Sequence, residues 1–174
     1  DRSPSRGLGD VYKRQVVHNG IIENFATLRG ELEAKGYSFV SETDTEVAGT
    51  LLFDVYVNET DADLTRAMQL TAQRLEGAFT LLAIHADHPD RIVAARWNSP
   101  LVVGVGEGEN FLSSDVSGFI EFTRDAVELD NGQIVTLTAD GYEVTTFTGE
   151  PAEATPFRVE WDAVSYTHLR AHET

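Results

Sequence analysis

The spacing of apolar positions along the chain switches from helical to alternating near residue 78, and the elements follow from that switch. Val16 and Val17 read as the end of a buried strand. Phe25, Leu28 and Leu32 then recur at helical spacing, with Asn24 placed to cap the helix and Gly36 to stop it. Tyr37–Val40 predicts a short strand. Thr43 to Glu46 spells a T-x-x-E capping box, and Val47, Leu51, Leu52 and Val55 continue on one helical face. A further helix is expected from about Asp63, with Leu64, Met68 and Leu75 inward and Gly77 past its end.

From Ala78 the runs AFTLLAIHA and IVAARW, separated by the turn-forming DHPD, predict a hairpin with one well-buried strand. LVVGVG, FLSS and IVTLTADGYEVTTF continue the strand series, with a tight turn at Ala139 to Tyr142. Beyond Thr148 the chain becomes rich in Glu, Pro and Ala and is expected to run over the surface. Helices followed by a strand-rich half predict one α+β domain with helices packed on an antiparallel sheet. A chain of 174 residues is long enough for one such core and too short for two.

The two ends fall outside this pattern. DRSPSRGLGDVYKRQ carries four of the thirteen basic residues and no apolar period, and the C-terminal SYTHLRAHET is equally patternless. One oligonucleotide that encodes Ser5–Gln15 encodes, on its opposite strand, Val164–Glu173, as inverted copies of a library adaptor do. Residues 1–15 and 163–174 are therefore expected to be adaptor translation, and the protein itself to be residues 16–162, open at both ends.

Charge narrows the function. A formal net charge of −16, with acidic residues scattered and no cluster of Lys and Arg, argues against a nucleic-acid partner. No apolar run approaches membrane-spanning length and no secretory signal is present, so a cytoplasmic protein is expected. With no cysteine, the chain has neither disulfides, thiolate metal ligands nor a thiol nucleophile.

Several residues invite chemistry. Asn19-Gly20 is the strongest local signal for a tight hairpin turn, but the second arm of such a hairpin would be only Ile21 to Glu23. Alternatively, an Asn amide and a Gly N–H side by side at a strand end are two donors suited to a developing oxyanion. Asp44 either complements the positive end of a helix or serves a site, and His18 orients its neighbours. His85 and His88, around a Pro turn with no third ligand, read as surface residues and not as a metal site. VGVGEGEN lacks the spacing and the Lys of a phosphate loop. Trp97 and Trp161 read as packing residues.

Three stretches taken together, HNGIIEN, GYSFVSETDTEV and SPLVVGVGEGENFLSSD, resemble in order and spacing the glutaminase domains of the glutamine:fructose-6-phosphate aminotransferase family. The related amidophosphoribosyltransferases typically have Asn-Leu where Ile21-Ile22 stands and Ser-Asp-Thr-Glu in the second stretch. The resemblance implies an N-terminal-nucleophile fold, a four-layer αββα sandwich, here truncated on its N-terminal side, and no cofactor or metal. It implies that an amino-terminal cysteine attacks the side-chain amide of glutamine, with the oxyanion held by Asn19 and Gly20 and the substrate α-ammonium by Asp44. Ammonia would pass to a separate isomerase domain, in a parent that is a homo-oligomer. The nucleophile and the family's T-R-W-A-T-H-G segment would lie before Val16, so the chain as it stands is expected to be inert, with an unpaired sheet edge. A non-catalytic acidic binding module, with Asn19-Gly20 only a turn, is the alternative from another class.

Overall fold

The structure is a computed structural model and describes residues 13–160. The terminal segments set apart above lie outside the described residues except for Lys13, Arg14 and Gln15, and so does Trp161.

Two antiparallel sheets form the centre. The first contains β1 (Arg14–Ile22), β2 (Gly77–His85), β3 (His88–Trp97), β7 (Gln133–Thr138) and β8 (Tyr142–Thr146), in that spatial order. The second contains β4 (Val102–Val105), β5 (Asn110–Ser113), β6 (Asp125–Glu128) and β9 (Thr155–Arg158), in the order β5-β4-β6-β9. Strand alternation divides the core. Phe79, Leu81, Val93, Ala95 and Ile134 face α1 (Phe25–Ala34), α2 (Asp44–Asn58) and α3 (Leu64–Ala72). Ala94, Val135, Leu137 and Val144 meet Val103 and Val127 of the second sheet and Leu129 just past β6. On the outer face of that sheet Val102, Ala126 and Phe119 pack beside a single 3-10 turn, Val116–Gly118. The α+β sandwich expected from the sequence is therefore present, and among the described residues that turn stands where a second helical layer was expected.

The helices follow their apolar spacing. Val47, Leu51, Leu52 and Val55 are buried on α2, as are Leu64 and Met68 on α3, which Asp63 caps by accepting the Arg66 N–H at 3.0 Å. Thr43 likewise accepts the Glu46 N–H at 3.3 Å. The reciprocal half of that capping box is diverted: the Glu46 carboxylate takes the N–H groups of Val40 and Ser41, at 2.9 and 2.7 Å. With the Tyr37 N–H bonded back to Leu32 O, the Val40 N–H held by Glu46 and Val40 almost wholly exposed, Tyr37–Val40 is a loop and not the expected strand. That loop is held from below by Asp54, a buried carboxylate on α2 that accepts from Lys35, from the Tyr37 hydroxyl at 2.9 Å and from Asn58 at 2.9 Å.

Other expectations are corrected by the sheets. β1 is an edge strand with only one row of its side chains covered, so Val17 is exposed and not the end of a buried strand. It begins at Arg14, two residues before the expected boundary, because pairing to Ile84 and His85 uses backbone groups that any sequence supplies. The β2–β3 turn falls at Ala86 and Asp87, ahead of the proline, which leaves His88, Pro89 and Asp90 inside β3. His85 is consequently buried, its ring tilted against Tyr56 with centroids 4.5 Å apart, and is not a surface residue. Past Thr148 the chain returns as β9, which lies at a sheet edge where Pro156 costs no ladder bond. Among the described residues, no helix is long and apolar enough to cross a membrane.

Candidate functional site

Asn19-Gly20 is not a hairpin turn. β1 passes straight through it, with Asn19 opposite Thr80 and Gly20 opposite Phe79. What the sequence read as turn chemistry is a backbone requirement inside a strand. Gly20 has φ +124°, and a Cβ there would stand 2.1 Å from the Ala78 carbonyl oxygen of β2. No other residue type fits that approach.

The same geometry sets the direction of the Gly20 amide. In an extended residue the Cα substituent lying in the plane of the sheet and the N–H point to opposite sides. The in-plane substituent of Gly20 points into β2, so its N–H points to the free edge. Ile22, two residues on and in phase, does the same: its N–H leaves the sheet and donates to Asp44 Oδ2 at 3.0 Å. Asn19 is exposed on the face shared with Val17 and Ile21, and among the described residues its carboxamide has no hydrogen-bond partner.

Asp44 reaches this edge because Thr43 ends the preceding loop and starts α2, whose first turn packs over β1. His18 lies beneath it, its side chain only 3% exposed, with Nδ1 3.0 Å from Thr45 Oγ1 and 3.7 Å from Asp44 Oδ1. Burial holds the His18 imidazole below its ordinary pKa, and the Asp44 charge only partly opposes that. The ring is therefore neutral at pH 7. All four residues singled out for chemistry, His18, Asn19, Gly20 and Asp44, are thus brought to one end of one strand edge. The role of Thr45 was not legible in the sequence, where it is one more polar residue in a helix's first turn. Asn24 was expected to cap α1 but ties the site's end of β1 to the α3–β2 connection: its Nδ2 donates to Arg74 O at 2.8 Å and its Oδ1 accepts the Glu76 N–H at 3.1 Å.

Neither described cleft contains these groups. The larger, about 780 Å³, opens at the other end of β1 between Arg14, Ile84, Arg91 and Asn110. The candidate site is an open strand edge: α2 packs on the β1 face that carries His18, and the Asn19 side chain lies on the other face. Among the described residues, no three His, Asp or Glu side chains are grouped to hold a metal ion. His88 is committed elsewhere, its Nε2 lying 2.8 Å from the Ala62 carbonyl and 3.2 Å from the Tyr56 hydroxyl. In VGVGEGEN, the Gly106 N–H donates to the Asn110 side chain, closing the β4–β5 hairpin. Trp97, expected as a packing residue, meets Phe147 with ring centroids 6.1 Å apart but is itself 40% exposed.

The two buried histidines have a measurable consequence. Burial lowers the pKa of His85 as well, with Asp87 opposing. The unfolded chain therefore binds protons that the folded chain refuses once the pH falls below the ordinary value of 6.5. Stability from these groups is complete above that value and is lost as the pH drops toward the depressed folded values. The urea midpoint is expected to fall between pH 7.5 and 5.5, with a shallower slope in His18→Gln/His85→Gln. A midpoint independent of pH in that window contradicts the burial assigned to both rings.

A family model described as a glutamine amidotransferase domain matches residues 10–121. The chain is 73% identical over 150 residues to the glutamine–fructose-6-phosphate aminotransferase (isomerizing) of Corynebacterium efficiens, covering 86% of this chain and 24% of that protein. It is 61% identical over 156 residues to the enzyme of the same name from Streptomyces coelicolor, covering 90% and 25%. The chain thus spans about a quarter of the length of the curated relatives it matches. Among solved structures it is similar to the glutamine phosphoribosylpyrophosphate amidotransferase of B. subtilis, with TM-score 0.64 and 22% identity over 79% of this chain and 30% of that one, a likeness of fold.

Proposed function

The chain belongs to the family of glutamine amidotransferase domains, and from that premise we propose that it is the glutaminase portion of a glutamine–fructose-6-phosphate aminotransferase. In that role it binds glutamine at the free edge of β1 and supports cleavage of its side-chain amide. The nucleophile is not among these 174 residues, which include no cysteine. A thiolate from elsewhere in the intact protein adds to the amide carbon. The carbonyl oxygen becomes an oxyanion that accepts from the Asn19 carboxamide and the Gly20 N–H. Collapse, with the proton that the thiol had lost to its base passed to the departing nitrogen, then expels ammonia and leaves a thioester for water to hydrolyse. Asp44 receives the α-ammonium of glutamine, and neutral His18 orients the strand end without competing for that cation. The inverted adaptor sequence supports reading residues 1–15 and 163–174 as foreign to this protein.

One observation carries the reading: the outward N–H of Gly20 and the Asp44-bound N–H of Ile22 lie in phase on one edge. Two strand residues span roughly 6.7 Å. The α-nitrogen and the amide oxygen of an extended glutamine are separated by roughly 6 Å on standard bond lengths. The Gly20 and Ile22 amides are therefore spaced by roughly the length of one extended glutamine, which supports placing its two ends at Gly20 and at Asp44.

The over 60% identity to glucosamine-forming enzymes along most of the chain favours fructose 6-phosphate over a phosphoribosyl acceptor. An intact protein carrying this sequence is expected to convert glutamine and fructose 6-phosphate to glutamate and glucosamine 6-phosphate. Glutamine-dependent turnover of phosphoribosyl pyrophosphate, with none of fructose 6-phosphate, contradicts the acceptor.

A further inference from the structure

We propose that Thr45 is the positioning residue of the recognition carboxylate: its hydroxyl, oriented by His18, fixes Asp44 in the rotamer that receives the substrate ammonium. The inference rests on the glutamine-binding role given to Asp44 above and extends it to a residue that touches no substrate.

The argument begins from a carboxylate with one firm anchor. Asp44 Oδ2 accepts the Ile22 N–H, and with that bond alone the group pivots about Oδ2. The second oxygen is 3.5 Å from Thr45 Oγ1, which is itself 3.0 Å from His18 Nδ1. The Thr45 hydroxyl has one proton to place. A carboxylate only accepts, so a hydroxyl that turned its lone pair toward Oδ1 would meet negative charge there. The proton therefore points toward Asp44, across a contact longer than an ordinary O–H···O bond, and the Thr45 oxygen accepts from His18. The chain of donors runs in one direction, from His18 Nδ1–H to the Thr45 hydroxyl to Asp44 Oδ1.

This polarity fixes the tautomer of His18. Nδ1 carries the proton and Nε2 is bare. Nε2 is buried and has no partner among the described residues. An orphaned acceptor is tolerated in protein interiors more often than an orphaned N–H, so the burial of Nε2 points to the same tautomer by an independent route. The Nδ1–H form is the less common one in water, which makes it a signature of the relay.

Two measurements test the proposal. In the chain itself, two-bond nitrogen–proton correlation spectra are expected to show His18 protonated on Nδ1. Thr45→Val is expected to move it toward the Nε2–H form and Thr45→Ser to leave it unchanged. In the intact enzyme, Thr45→Val is expected to raise the KM for glutamine about tenfold, the loss of one hydrogen bond to a charged group, with kcat within about twofold. Thr45→Ser should restore the KM. An Nε2–H tautomer in the unsubstituted chain overturns the relay, and needs no variant to fold. An unchanged KM in Thr45→Val, or equal damage to KM and kcat in both variants, overturns the positioning role. If Asp44→Ala leaves the KM unchanged while His18 keeps the Nδ1–H form, the recognition reading has failed and the proposal falls with it.

Discussion

Asn19→Ala in the intact enzyme is expected to lower kcat for glutamine hydrolysis about a hundred- to a thousandfold, the usual cost of removing one oxyanion donor, while the KM stays within a few-fold. The asymmetry follows from where the charge develops. The amide oxygen of bound glutamine is neutral and can find water at this open edge, so the ground state loses little. In the tetrahedral intermediate that oxygen carries a full charge, and a carboxamide N–H turned to it stabilises it far more than it stabilised the neutral oxygen. Asn19 suits this task because its side chain is exposed and makes no hydrogen bond with any described residue, so nothing has to be broken before it turns to the substrate. Asn19→Asp should be at least as damaging, since it places an acceptor where a donor is needed. A loss of kcat below tenfold, or one matched by an equal rise in KM, removes Asn19 from the oxyanion site.

Asp44→Ala is expected to act on the other parameter. It should raise the KM for glutamine by about thirty- to two-hundredfold, the range for truncating one partner of a partly desolvated charge pair, and change kcat much less. The substitution also leaves the Ile22 N–H without its acceptor, so part of the effect comes from a looser strand end. Selectivity separates the two contributions. The unsubstituted enzyme should strongly prefer glutamine over glutaramic acid, which has the same amide and carboxylate but no α-amino group. Asp44→Ala should erase most of that preference by losing glutamine. A mere loosening of β1 would weaken both substrates alike and leave their ratio intact.

What the sequence made legible was what local spacing controls. Val47, Leu51, Leu52 and Val55 mark one face of α2 whatever surrounds it, and the runs from Ala78 to Trp97 pair because they are long, apolar and joined by a short turn. Asn19-Gly20 shows where local reasoning stops. Its turn propensity is real, but nine consecutive cross-strand pairs between β1 and β2 outweigh it, and glycine is needed for the close approach of Ala78 instead. The Tyr37–Val40 segment has strand composition and no strand to pair with: its first N–H goes back to Leu32 O and its last to Glu46. β6, with only Ala126 and Val127 apolar, and β9, which contains Pro156, gave no pattern to read.

The candidate site was legible in its members and not in its assembly. The three stretches that carry the family resemblance supplied His18, Asn19, Gly20 and Asp44. The bond from Ile22 to Asp44 crosses twenty-two positions of sequence and depends on α2 packing over the edge strand. Thr45 had no signal of its own, because a threonine in a helix's first turn looks the same whether it faces solvent or a buried imidazole. The phase of the outward amides depends on which side of β1 is paired, a property of the sheet and not of the strand.

The most direct measurement is a crystal structure of the intact enzyme trapped with a tetrahedral adduct at the glutamine site, formed from an aldehyde analogue of the substrate. The adduct oxygen should lie about 2.7–3.1 Å from both Asn19 Nδ2 and the Gly20 nitrogen, with the α-ammonium on Asp44. An adduct oxygen facing solvent, or donors supplied by other residues while Asn19 and Gly20 stand apart, contradicts the account.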